Sequence, residues 1–148
     1  MTEDATGPAR GRLLVVDDEE PQREMLGNIL MRAGFEVETA ADGREALERL
    51  EQDGFDLLLT DQRMPNLDGL ELLERVRKLS PGLPVVLMTA FGTVSTAVDA
   101  MKRGAADYLT KPFERDELLL VIEKVMRQRR LEDEVASLRG VLLSLIHI

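Results

Sequence analysis

The sequence predicts an α/β domain built as a doubly wound, five-stranded parallel sheet with helices on both faces, and three observations carry that expectation. Short apolar runs alternate with segments of helical period along most of the chain. Three of the runs, within "RLLVVD", "FDLLLTD" and "LPVVLMTA", are apolar almost throughout, as strands buried on both faces must be. The helical segments between strands are about as long as a crossover between parallel strands requires.

Taken in order, "RLLVVD" (12–17) is an apolar run that ends at charge. "PQREMLGNILMRAG" (21–34) puts Met25, Leu26, Ile29, Leu30 and Ala33 on one helical stripe, with Gly34 as its stop signal. "FEVETA" (35–40) alternates apolar and polar, as an edge strand does. "GREALERLEQDG" (43–54) is a charged helix whose inner stripe is Ala46, Leu47 and Leu50. "FDLLLTD" (55–61) is apolar until it meets a carboxylate. "DGLELLERVRKLS" (68–80) opens with Asp68 and carries Glu71 three residues on, a capping-box arrangement. "LPVVLMTA" (83–90) is a buried strand, "TVSTAVDAMKRG" (93–104) a helix and "ADYLTKP" (106–112) the last strand. A long final helix begins in "ERDELLLVIEKVMRQ".

The 148 residues fit one domain with some length to spare, enough to bury a substantial core. No apolar run reaches the ~18 residues that span a bilayer. The N-terminus "MTEDATGPARGR" is polar and acidic, which predicts a disordered tail over 1–11 and no signal peptide. Without cysteine there is neither a disulfide framework nor a thiolate metal site, so a reducing cytoplasm is the expected setting. A net charge of -9 argues against nucleic-acid binding by this segment and suits a basic protein partner.

Sheets of this kind collect functional groups at the carboxyl ends of their strands, beside the switch in strand order. Here the first strand delivers Asp17 and Asp18, the third Asp61, the fourth Thr89 and the fifth Lys111. The run "DDEE" (17–20) poses the problem that this rim must solve. Like charges about 4 Å apart repel by roughly 4 kcal/mol at an effective dielectric near 20. Glu19 and Glu20 are expected to face solvent or the start of the next helix, where negative charge is favoured. Asp17 or Asp18 taken singly could do the same. Three carboxylates together, with no histidine or cysteine beside them, form a hard oxygen-donor set suited to Mg²⁺. Lys111 then serves as a point charge for a carboxylate or phosphoryl oxygen, and the Thr89 hydroxyl as a hydrogen-bond donor. Ala90 leaves space beside it. These parts make phosphoryl-transfer machinery: a carboxylate nucleophile, a metal, and donors for the equatorial oxygens.

The motifs "VVDDEE", "TDQRMPNLDGLELL", "VVLMTAFG" and "DYLTKPF", in this order and at these spacings, resemble the bacterial response-regulator receiver domain of two-component signalling. The resemblance runs from about Arg12 to Arg127 and misses none of the family's functional positions. It implies a flavodoxin-like fold with strand order 2-1-3-4-5. It implies that Asp61 is the phosphoacceptor, supplied by a sensor histidine kinase. Mg²⁺ would be bound by Asp18 directly, by Asp17 through water, by Asp61, and by the backbone carbonyl of Arg63. Thr89 and Lys111 would hold the phosphoryl group, Tyr108 would be the switch aromatic that turns inward, and the Lys111–Pro112 bond would be cis. Such a domain is not an enzyme in the ordinary sense, since it catalyses only its own phosphorylation and dephosphorylation. The stretch "LMTAFGTVSTAVDAMKRGAADYLTKPF" is similar to receivers of NtrC-family (nitrogen-regulation type) transcription activators. Their output domains have no counterpart here: the chain contains neither a Walker A motif nor a basic recognition helix. An aspartyl-nucleophile Mg²⁺ phosphatase typically carries a second Asp two residues after the nucleophile, and Arg63 stands there instead. A stand-alone receiver that signals by protein docking remains as the alternative.

Three plainer expectations complete the reading. Tyr108 alone would be a half-buried strand aromatic, and the seven methionines mostly core filling. His147, the only histidine, is no phosphodonor or metal ligand. In the linker segment 128–148, Leu131, Val135, Leu138, Leu142 and Leu145 repeat with 4-3-4-3 spacing, a short seam that would pair two copies as a homodimer. The ending "SLIHI" resembles a reading frame run into sequencing-adapter DNA, so Ser144–Ile148 are expected to be non-native.

Overall fold

The computed structural model describes residues 10–64, 67–90 and 94–146, with the backbone alone described at Val94, Thr96, Ser137 and 140–146. The expected tail up to residue 9, Pro65 and Asn66, Phe91 and Gly92, the first residue Thr93 of the expected fourth helix, and His147 and Ile148 lie outside the described residues, as do the side chains of Leu142 and Leu145. Among the described residues ten elements alternate: β1 (Arg12–Val16), α1 (Glu20–Arg32), β2 (Glu36–Ala40), α2 (Gly43–Gln52), β3 (Leu57–Asp61), α3 (Gly69–Leu79), β4 (Val85–Thr89), α4 (Val94–Lys102), β5 (Asp107–Thr110) and α5 (Arg115–Ile146). The strands pair in parallel in the order β2-β1-β3-β4-β5. This is the predicted doubly wound sheet, with its switch in order at β1 and β3.

Side chains alternate across each strand, so consecutive apolar residues feed two separate cores. Leu14, Val16, Leu58, Val85 and Leu87 point to one face and pack with Ala46 of α2, Leu72, Leu73 and Val76 of α3, and Ala100 of α4. Leu13, Val15, Leu57, Leu59, Val86 and Met88 point to the other, against Leu26 and Leu30 of α1 and Leu118, Ile122 and Val125 of α5. Each fully buried leucine contributes about 2 kcal/mol through burial, and β3 and β4 are buried along their whole length. The fully apolar runs therefore became central strands, and the alternating run became the edge strand β2, paired only with β1.

The boundaries carry the expected signals. Ala33 closes α1 and Gly34 follows at φ 101°, a left-handed position that glycine adopts without a Cβ penalty. Asp68 and Glu71 form the capping box of α3, each side chain accepting from the other's backbone N–H.

Three expectations need correction. Met25 was placed on the buried stripe of α1 but is 46% exposed, because the helix turns Leu26, Gly27 and Leu30 inward and leaves Met25 on the flank. The described methionines are not mostly core filling: Met88 is buried and Met64 and Met126 pack at the core's margin, while Met25, Met31 and Met101 are exposed. Arg10 and Gly11, assigned to the tail, already belong to the body. The Arg10 N–H donates to the Gly34 carbonyl at 3.0 Å, and its guanidinium reaches Glu123 and lies over the Phe35 ring.

Candidate functional site

The carboxyl end of the sheet gathers the polar residues that the strand ends were expected to deliver. β1 stops at Val16, but the Asp17 N–H still donates to the Ala40 carbonyl at 3.2 Å, which fixes Asp17 at the sheet's rim. Its side chain is wholly buried; Oδ1 accepts the Glu19 N–H at 3.0 Å and Oδ2 accepts Lys111 Nζ at 3.2 Å. Asp61 closes β3 at 8% exposure, and its Oδ2 accepts the same ammonium at 3.2 Å. Lys111 stands one residue beyond β5, held there by its own N–H donating to the Thr89 carbonyl at 2.7 Å, and the peptide bond that follows is cis to Pro112. Thr89 is buried at the end of β4, in register with Thr110, while Ala90 beside it is exposed.

One ammonium thus bridges two buried carboxylates, and this answers the charge of "DDEE" in part. Asp17 is neutralised by Lys111, whereas Asp18, Glu19 and Glu20 are exposed to water. Glu19 is the N-cap residue of α1 but makes no side-chain capping bond. Burial raises the Asp61 carboxyl above its ordinary value; Lys111 opposes that rise, Asp17 adds to it, and a backbone hydrogen bond from Arg63 lowers it again. For Lys111, burial acts to release the proton, but the charges of Asp61 and Asp17 outweigh it and hold the ammonium above its usual range.

Asp17, Asp18 and Asp61 can each offer a carboxylate oxygen within 4.8 Å of the others. The set is oxygen only, with two members buried and one open to solvent, and it fits a hard divalent cation that keeps part of its water shell. Arg63 meets the site through its backbone and is otherwise exposed. Tyr108 is 37% exposed and lines a groove with Ala97, Val98, Met101 and Lys102.

Two residues that serve the site were not legible as such. Gly69 begins α3 against the loop that follows β3: its N–H donates to the Gln62 carbonyl at 2.8 Å, and a Cβ there would lie 2.5 Å from the Asp61 carbonyl oxygen. The available signal was a glycine at a first helical position, where almost any other residue forms helix better. Arg23, read only as a helix residue, donates from Nη1 to the Asp17 carbonyl at 2.7 Å; nothing in the spacing announced it.

Comparison with known proteins identifies the family to which this fold belongs. Residues 13–123 match the family described as the response regulator receiver domain. The regulatory protein AtoC of Escherichia coli is 40% identical over 134 residues, covering 90% of this chain but 29% of AtoC. The response regulator MprA of Mycobacterium ulcerans is 44% identical over 126 residues, 85% of this chain and 54% of MprA. Among solved structures, NtrX from Brucella abortus superposes with a TM-score of 0.83 at 39% identity over 87% of this chain and 30% of NtrX. AtoC and NtrX are NtrC-family activators, the type the fourth and fifth strands resembled. The chain spans under a third of either. On a match of this extent, carried by this sheet order and these relatives, the chain belongs to the receiver-domain family of two-component response regulators.

Proposed function

We propose that this domain accepts a phosphoryl group on Asp61 from a phosphohistidine of a sensor kinase and passes the signal to a transcription-activating output domain. The observation that carries the reading is the shared ammonium: Lys111 Nζ lies 3.2 Å from both Asp61 Oδ2 and Asp17 Oδ2, beside the exposed Asp18. In the transfer, an Asp61 carboxylate oxygen attacks phosphorus, the P–N bond breaks, and the imidazole leaves with that electron pair. Lys111 moves its hydrogen bond from Asp61 to a phosphoryl oxygen while keeping Asp17, and the Thr89 hydroxyl takes a second oxygen. Asp18 and Asp61 would hold Mg²⁺ directly, with the Arg63 carbonyl, and the buried Asp17 through water; the ion would supply neutralisation of phosphoryl charge.

The product adds about -1.5 to -2 charge to an acid rim. Its differential hold on Lys111 and Thr89 in two arrangements of the domain is what can shift their populations. Drawing Thr89 inward opens room for Tyr108, whose side chain stands in the groove beside α4. The α4–β5–α5 face then changes shape, and pairing of two copies through that face and α5 follows. The setting is cytoplasmic, and the domain turns over no substrate but its own acyl phosphate. A stand-alone receiver that signals by docking is the second reading, favoured by likeness to the chemotaxis protein CheY4 of Vibrio cholerae, 36% identical at a TM-score of 0.75 over 80% of this chain and 99% of CheY4.

Intact mass after incubation with acetyl phosphate tests the proposal. A gain of one phosphoryl group that needs Mg²⁺ and is lost in Asp61→Asn is the expected result. Stoichiometric labelling of Asp61→Asn would sink it.

A further inference from the structure

Arg23 lies in the second turn of α1, and α1 is fastened to the core by Leu26 and Leu30, both wholly buried. Its backbone N–H donates to the Glu19 carbonyl at 3.0 Å, while its side chain reaches back to donate to the Asp17 carbonyl at 2.7 Å. With that bond every polar group of Asp17 is held: the N–H by Ala40, the carbonyl by Arg23, Oδ1 by Glu19 and Oδ2 by Lys111. Asp18 is the exposed carboxylate of the trio, and the peptide that carries it begins at the Asp17 carbonyl. Because a peptide unit is planar, fixing that carbonyl fixes the plane from which the Asp18 side chain leaves. The rigid guanidinium fork is suited to such a task, since it orients as well as attracts.

We propose that Arg23 is a positioning residue for the metal-binding rim, holding the β1–α1 turn in the conformation that presents Asp18 to a divalent cation. The inference rests on the receiver reading and adds a residue to it. Charge and position make opposite demands here, which renders the idea testable. A cation beside the rim repels a second cation, so a purely electrostatic Arg23 would weaken Mg²⁺ binding by its presence. A positioning Arg23 strengthens it.

The test is calorimetric titration of the unphosphorylated full chain with Mg²⁺, comparing wild type, Arg23→Met and Arg23→Lys, with thermal unfolding in chelator alongside. Loss of one charge-assisted hydrogen bond predicts a Kd about tenfold higher in Arg23→Met. In Arg23→Lys, which keeps the charge but replaces the fork by a mobile ammonium, the Kd rises about threefold. Phosphoryl uptake by Arg23→Met at saturating Mg²⁺ returns close to the wild-type rate, the split expected when only presentation of the ligand is lost. A Kd that falls or holds in Arg23→Met overturns the proposal. Should that variant not fold, an unchanged Kd in Arg23→Lys does so. A wild-type chain that neither binds Mg²⁺ nor takes up phosphoryl removes the receiver reading itself, whereas normal wild-type behaviour with unaltered variants removes only the role of Arg23.

Discussion

Asp17 and Asp61 share the ammonium of Lys111, and the arrangement leaves Asp61 holding its proton more tightly than an ordinary carboxyl because it is buried. A carboxyl raised in the folded state contributes most to stability below its unfolded value of 3.8, and that contribution is lost as pH rises through the folded value. At neutral pH the ionised Asp61 therefore costs stability, and Asp61→Asn is expected to raise Tm. About 1 kcal/mol of relief corresponds to roughly 3 °C for a domain of this size. The gain should shrink as pH approaches 4 from above, measured by thermal unfolding across the range. An Asp61→Asn chain less stable than wild type at pH 7 would contradict this sign. Lys111 follows the same rule at the alkaline end: its stabilisation is complete below 10.5 and is lost as pH rises through the raised folded value. Removing it, as in Lys111→Met, leaves two buried carboxylates uncompensated. That change is expected to cost about 3 kcal/mol, read from denaturant unfolding at pH 7. At this scale the sequence showed which residue types end each strand, and so located the rim. It did not show that one lysine would serve two aspartates, because that depends on distances between β1, β3 and β5 that no local pattern encodes.

Helix α3 shows how an element can be anchored to the site by what it lacks. Gly69 lets its first turn close on the Asp61–Gln62 backbone, where a Cβ would come within 2.5 Å of one atom and 2.7 Å of another. Both are main-chain atoms and cannot rotate away. Gly69→Ala must push α3 or the loop after Asp61 aside, and about 1–3 kcal/mol is the expected loss, with reduced acyl-phosphate uptake because Asp61 moves. Asp68→Ala, one residue earlier, removes only the capping box and should cost about 1 kcal/mol without altering uptake. Denaturant unfolding and labelling rates on the two variants separate the effects; equal uptake in both would mean that the close approach of Gly69 does not matter to the site. Element type was legible because the apolar period decides it, and the capping box was legible because it is a spacing. The inward set of α1 was not, since Met25 and Leu26 are adjacent positions and the packing angle of the helix selects between them.

Across the whole molecule, α5 is both a core helix and an extension of the body. Leu118, Ile122 and Val125 complete the core, and beyond them Arg129 Nη1 donates to the Asp56 carbonyl at 2.5 Å at the start of β3. Past that clamp Leu131, Val135 and Leu138 are exposed at 54%, 47% and 62%, not docked on their own domain. Arg129→Ala is expected to raise amide exchange about tenfold over the segment after residue 127 while leaving the strands protected; unchanged exchange would show that the clamp carries no load. The sheet order was legible because parallel crossovers and buried runs permit few alternatives, whereas nothing in "RQRR" singles out Arg129 as the arginine that reaches the Asp56 carbonyl. The central claim remains that Asp61 itself receives the phosphoryl group. Borohydride reduction after acetyl-phosphate treatment with Mg²⁺, followed by peptide mapping, tests it most directly. Homoserine at position 61 and at no other aspartate is the expected result; label at Asp17, Asp18 or elsewhere, or none at all, would contradict it.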